Sequence, residues 1–224
     1  MLVAPLLFMV LVVGGVALVM SACGGGGVGG GEEQAKARPL PEGEKALRPG
    51  EYRTEEFKPS LSFRVGEGWS TSSEASDELE IGLREIGGIG FANVQKVYQP
   101  TNTDTPKVVE APEDLVGWFE HHPYLQTDEL EPVTVGGVKG QQFDVVVEDL
   151  PEDYLSPCGT DCVDVFRQTT GDLILFEGDK VHLIILEDVK DETVTIDYGS
   201  LATDFDEVAP EAQKVVDSVK WTGS

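Results

Sequence analysis

The stretch SLSFRVGEGW, Ser60 to Trp69, decides the fold class. Leu61, Phe63 and Val65 alternate with Ser60, Ser62 and Arg64, the two-residue period of a half-buried strand whose successive side chains leave opposite faces. GEGW then turns the chain and returns Trp69 to the interior. Strand-like runs recur in ELEIGLRE, where Leu79, Ile81 and Leu83 share a side, and in GFANVQKVY, PVTVGG, GQQFDVVVED, VDVFRQTT, DLILFEG, KVHLIILEDV and ETVTIDYG. The Gly, Asp and Asn punctuation between them predicts an antiparallel sheet of consecutive hairpins.

Two segments read as helices. APEDLVGWFEHHP offers Pro112 for the first turn, Glu113 and Asp114 near the positive helix end, and Pro123 as a stop. Leu115, Trp118, Phe119 and His122 fall on one face at helical spacing. APEAQKVVDSVKW starts at Pro210, carries Val215, Val216 and Val219 on one side, and can straighten into a last strand through Val219 and Trp221. A sheet with one helix in mid-order and another at the end is α+β, an antiparallel β-sheet with flanking helices. One domain is expected over residues 51–224.

The order resembles that of PsbP/Mog1-like domains. It is similar to them in the early apolar strand running into Gly-Trp, here LSFRVGEGW, and in the helix ending in a serine-hydrophobic-aromatic tail, here VVDSVKW. The resemblance covers most of Glu51 to Trp221. It implies a sandwich of helices about an antiparallel sheet, a fold used mainly to bind other macromolecules.

Ahead of this domain, Met1 to Ala22 contains no charged residue, and its apolar run approaches the roughly 20 residues that span a bilayer. Small residues, Ser21 and Ala22, close the run as they do in a secretory signal. Met20-Ser21-Ala22-Cys23 resembles a bacterial lipobox. That resemblance implies diacylglyceryl transfer to the Cys23 thiol, cleavage between Ala22 and Cys23, and acylation of the new amino terminus with palmitate-type chains. Two or more chains on one residue anchor stably, whereas one is marginal. An uncleaved transmembrane anchor and a plain secreted chain are the alternatives, and all three export the remainder. Residues 1–22 are therefore expected as signal peptide and 23–50 as lipidated terminus and linker. GGGGVGGGEEQAKARPLPEGEKALRPG, Gly24 to Gly50, would reach on the order of 30 Å.

Acidic residues number 41 against 16 basic, a net charge of −25. Phosphate recognition needs a basic surface, so nucleic acid is excluded as a partner. Anionic lipid heads repel such a domain, which leaves membrane residence to the anchor. With Cys23 assigned to lipid, Cys158 and Cys162 in SPCGTDCVD form an even pair in an exported chain and read as a disulfide. Closing so small a loop is worth about 2 kcal/mol by chain entropy. No metal site is expected, since zinc takes about four ligands and the only histidines are His121, His122 and His182.

No catalytic constellation is legible. YGSLA around Ser200 is the nearest approach to a G-x-S-x-G elbow and reads as a turn. His121 and His122 diverge by about 100° on a helix, so His122 packs on the apolar face and His121 faces solvent. His182 reads as a strand position. Asp204, Asp206 and Glu207 in TDFDEVAPE, and Glu148, Asp149, Glu152 and Asp153 in EDLPEDYLSP, lack the spacing of an EF-hand. EIGGIGFAN lacks the Lys-Ser/Thr of a phosphate loop and reads as a bulged strand or hairpin turn. The expected function is a membrane-tethered extracytoplasmic lipoprotein without cofactor, binding an envelope protein or small ligand. The alternatives are an envelope hydrolase using carboxylates or His182, and a calcium-stabilised surface module.

Overall fold

A computed structural model describes residues 37–147 and 150–223. The described chain begins with β1 (Arg38–Pro39), β2 (Lys45–Ala46), β3 (Gly50–Arg53), β4 (Leu61–Val65), β5 (Trp69–Glu74), β6 (Glu78–Leu83), β7 (Gly87–Asn93), β8 (Lys96–Tyr98) and β9 (Val108–Glu110). Helix α1 (Leu115–Glu120) follows, then β10 (Leu125–Thr127), β11 (Glu131–Val135), β12 (Val138–Val147), β13 (Cys162–Phe166) and β14 (Leu173–Phe176). The long pair β15 (Asp179–Val189) and β16 (Glu192–Leu201) leads into α2 (Phe205–Asp217) and β17 (Lys220–Trp221).

A nine-stranded sheet forms the centre, in the order β10-β12-β15-β16-β7-β6-β5-β2 with β11 paired to β12. LIIL, Leu183 to Leu186, is buried throughout because β15 is covered on both faces. Ile184, Leu186, Ile196 and Phe91 join α2 and the sheet β1-β3-β4-β17 in one core, while Leu183 and Ile185 meet α1 and the sheet β14-β13-β8-β9 in the other. The molecule is thus α+β, but each outer layer mixes one helix with a small sheet. The expected sandwich with helices as its flanks is corrected to that extent: two helices are too few to cover nine strands, and short strands fill the rest.

Several hairpins close as expected. β11 and β12 turn through Gly136 and Gly137 at φ 57° and 88°, the left-handed pair that a two-residue hairpin requires. The glycine string 87–90 lies in β7 and pairs with β6, in agreement with the hairpin reading. GFANVQKVY is divided into β7 and β8, which belong to different sheets. The central joins, β12 to β15 and β16 to β7, link strands distant in sequence, so the sheet is not a simple run of consecutive hairpins.

Three boundaries differ from expectation. The linker expected to reach Gly50 stops earlier: β1 runs parallel to β3, β2 pairs with β5, and Leu40 and Leu47 are buried. Two apolar side chains suffice to dock a polar segment when backbone bonds such as Leu40 N–H to Arg53 O and Leu47 N–H to Trp69 O accompany them. Pro112 lies outside α1, whose N-cap is Asp114, with Oδ1 accepting the Gly117 N–H at 2.8 Å. Pro210 lies inside α2 instead of opening it, because Phe205 and Val208 are buried and draw the helix start back to Phe205; the proline removes one helical donor. Trp221 and Leu61 then pair across β17 and β4, the expected last strand.

Candidate functional site

The signal residues and Cys23 lie outside the described residues, as do Glu148 and Asp149. Cys158 and Cys162 are joined in a disulfide. Ser156 Oγ beside it donates to Asp164 Oδ2 at 2.8 Å, in a closed turn rather than a reactive site. Among the described residues, no helix is long and apolar enough to cross a membrane, and no group of three His, Cys, Asp or Glu side chains is arranged to hold a metal ion.

The histidines do not converge. His121 is exposed, with Nδ1 at 2.7 Å from Gly117 O, while His122 is buried against Trp118, with ring centroids 4.8 Å apart. Burial lowers the His122 pKa to about 4. His182 lies on the α2 side of the sheet. Its Nδ1 is 2.7 Å from Asp144 Oδ1, and its ring stacks on Tyr198 at 4.8 Å. Lys180 also binds Asp144. Burial acts to raise the Asp144 pKa, but the bonds and charges of Lys180 and His182 outweigh it and leave the carboxyl below its ordinary value. Tyr198, pushed up to about 12 mainly by burial, donates to Gln213 on α2 at 3.0 Å. This partnered network locks α2 to the sheet.

The acidic loops are also accounted for locally. Asp204 is the α2 N-cap residue, Asp206 and Glu207 occupy its first turn, and Glu207 pairs with Arg84 at 2.8 Å. Glu152 and Asp153 are exposed.

A different group of acids, not singled out by sequence, shares a cleft of about 360 Å³ between the central sheet and the β13–β14 layer. Register explains it. Glu80, Gly90 and Asp197 stand side by side on β6, β7 and β16, and Gly82, Gly88 and Gly199 form the neighbouring row. The glycines leave the floor without side chains. A Cβ on Gly90 would come within 2.9 Å of Asp197 Oδ1 and 3.0 Å of Oδ2, so the carboxylate leans over Gly90 toward Glu80. The segment after β13 covers one side of the cleft through Gln168 and Gly171. Thr169 Oγ1 donates to Asp77 Oδ2 at 2.9 Å, and the Thr170 N–H donates to Glu78 Oε2 at 3.2 Å. Arg167 pairs with Asp172 at 2.9 Å and closes the base of that segment.

The electrostatics of the cleft are one-sided. Asp197 has its pKa raised to about 7, first by burial and then by the charge of Glu80. Glu80 is raised by burial and by Glu78, and Asp179 by burial against a backbone hydrogen bond from Phe176. Glu80 is exposed and Asp197 half-buried where they line the cleft, and loss of hydration is the first cause of each raised value. A larger crevice of about 480 Å³ lies beside Pro39–Gly43. Glu74 there is engaged, accepting the N–H groups of Glu55, Glu56 and Phe57. Asp197 was legible only as an acid at an inward position of ETVTIDYG; its facing partner was not.

Fold and cleft define an α+β domain with an acidic recess on its central sheet. The sequence matches no protein-family profile and no curated protein. Among solved structures it is similar to cyanobacterial PsbP (CyanoP) from Synechocystis sp. PCC 6803, at 10% identity and TM-score 0.40, over 79% of this chain and 95% of that one. LpqN of Mycobacterium tuberculosis, involved in cell envelope biogenesis, is similar at 8% identity and TM-score 0.34, over 80% and 91%. A Bacteroides thetaiotaomicron protein is similar at 10% identity and TM-score 0.37, over 73% of this chain and 46% of that one, so the chain spans less than half of its length.

Proposed function

We propose that this is a membrane-tethered extracytoplasmic lipoprotein whose PsbP/Mog1-like domain is a non-catalytic module that binds a small ligand in the Glu80–Asp197 cleft. The cleft carries the reading: a side-chain-free floor beside carboxylates whose charge is made costly by lost hydration is a poor structural solution and a good recess for a ligand. Supporting the tether are the lipobox-like string ending at Cys23 and the acidic domain, which anionic lipid would repel. Supporting the family resemblance are LSFRVGEGW and VVDSVKW, whose strands β4 and β17 pair. The mass of the N-terminal peptide from membrane-extracted protein tests the tether. An acylated peptide beginning at Cys23 is expected, and one retaining Met1 overturns it. For the cleft, the extracted protein is sprayed intact in a native mass spectrometer; a bound species lost in Glu80→Lys, a substitution at an exposed residue of the cleft wall, is expected, and retention of the same species in that variant overturns the site.

One observation favours a second reading, an envelope hydrolase using carboxylates. A carboxyl with a pKa near 7 is matched to general acid work at neutral pH. Turnover of aryl glycosides, abolished by both Asp197→Asn and Glu80→Gln, would establish it; turnover unaffected by either substitution would remove it. His182 lies across the sheet from this pair and takes no part.

A further inference from the structure

We infer that the outer face of the β1-β3-β4-β17 sheet docks on an anionic lipid surface and sets the orientation of the tethered domain. The inference rests on the lipid tether at Cys23 and adds which face is held against the bilayer. Charge is segregated along the chain: residues 37–64 carry six basic side chains against five acidic, whereas residues 65–224 carry nine against 34. Register gathers the cations. Tyr52 and Phe63 point into the core, so Arg53, Ser62 and Lys220 stand side by side on the outside, with Arg64 two residues along β4. Lys58 and Lys190 meet at the end of this row, Lys58 Nζ donating to Ser60 Oγ at 2.9 Å and Lys190 Nζ to the carbonyls of Thr222 and Gly223. Glu51 and Glu55 on the same side are neutralised, by Lys220 at 3.1 Å and by Arg53 at 2.8 Å. Among the described residues Lys58, Arg64 and Lys190 pair with no carboxylate, while Arg84, Arg167, Lys180 and Lys214 elsewhere each take one. Three neighbouring cations without partners stand out in a chain with 41 acids.

The chain enters the domain on this same sheet. Ala37, ahead of β1, accepts from Arg53 Nη1 through its carbonyl at 2.6 Å. Between the lipobox cysteine and that point lie the 14 residues Cys23 to Lys36, which as a coil span about 20 Å. So short a leash brings the Arg53 face to the headgroups. The net charge of −25 repels the domain as a whole, but the repulsion is screened over about 8 Å at physiological ionic strength. The central sheet lies about 10 Å beneath the outer one, so with the basic face down most of the acids stand beyond the surface potential. Turning another face down brings them within it. The anchor thus supplies residence, and the segregated charge supplies orientation.

The test adds the full-length, membrane-extracted protein to preformed vesicles whose headgroups carry a fluorescence quencher. One set is phosphatidylglycerol and phosphatidylcholine in equal parts, the other phosphatidylcholine alone. A thiol-reactive dye is placed on Thr222→Cys, exposed beside β17, or on Thr105→Cys, exposed in the β8–β9 loop of the opposite outer sheet. On anionic vesicles the Thr222 dye is expected to be quenched about threefold more than the Thr105 dye or better. The difference should vanish on phosphatidylcholine, in 500 mM sodium chloride, and in the double variant Lys58→Glu, Arg64→Glu. Both substituted side chains are exposed, and Lys220→Gln, which should reduce the difference, repeats the reading if Arg64→Glu disturbs β4. Equal quenching at the two positions, or stronger quenching at Thr105, overturns the docking face. A difference indifferent to salt and to these variants assigns orientation to the leash and overturns the role of charge. A difference found in native envelope vesicles but not in protein-free anionic ones assigns the face to an acidic protein and overturns the lipid. Protein that fails to float with either vesicle, with both dyes unquenched, overturns the tether as well.

Discussion

At the scale of single residues, Asp197 and His122 pull the pH dependence of stability in opposite directions. Asp197 binds its proton more tightly folded than unfolded, about 7 against 3.8, so its contribution is full below pH 4 and is lost as pH rises through 7. His122 is the reverse. Its pKa falls from 6.5 to about 4 on burial, so its neutral ring is tolerated above pH 6.5, and stability is lost as pH drops toward 4. A tenfold change in proton affinity corresponds to about 1.4 kcal/mol. Asp197→Asn should therefore stabilise the protein more at pH 8 than at pH 4.5, and His122→Phe should remove part of the acid loss between pH 6.5 and 4. Urea denaturation of both variants across that range checks the signs, and a wild-type-like profile in either defeats its assignment.

At the scale of elements, turns and caps set what can be gained or lost locally. The β15–β16 hairpin closes through Lys190 and Asp191 at φ 58° and 69°, conformations that ordinary side chains adopt at a cost. Asp191→Gly should stabilise by on the order of 1 kcal/mol, read as a rise in the urea midpoint at unchanged slope. Asp114→Ala removes the only side-chain cap of α1 and should cost about 1 kcal/mol. Element type was well marked in the sequence, since β6, β12, β15 and β16 all arose from recognised runs. Element ends were not: Pro210 looked like a helix start by local preference, and burial of Phe205 and Val208 overrode it.

At the scale of the whole molecule, the domain begins before its apparent boundary. Removing residues through Gly50 strips β1, β2, Leu40 and Leu47, leaving the edges of β3 and β5 unpaired. Burying a leucine is worth roughly 1.5–3 kcal/mol. A chain starting at Glu51 should therefore be several kcal/mol less stable than one starting at Ala37, measured by thermal or urea melting; equal stability would show that the segment adds nothing. Net charge acts at this scale too. Self-repulsion from 41 acids should be screened by salt, so the melting temperature is expected to rise between 20 mM and 500 mM sodium chloride.

The sequence by itself determined the periodicities, and with them which segments become strands, which faces of β4 and β6 turn inward, and that Cys158 and Cys162, four residues apart, pair with each other. These are local facts, settled within one turn or one strand. Strand order, the docking of residues 37–50 and the cleft were decided only by tertiary structure. Alternation tells a side chain's face but not its neighbour, and many pairings of the same strands satisfy it equally. Only burial of both faces at once selects β7 as the partner of β6 and β16, and that choice sets Glu80 and Asp197 on either side of Gly90.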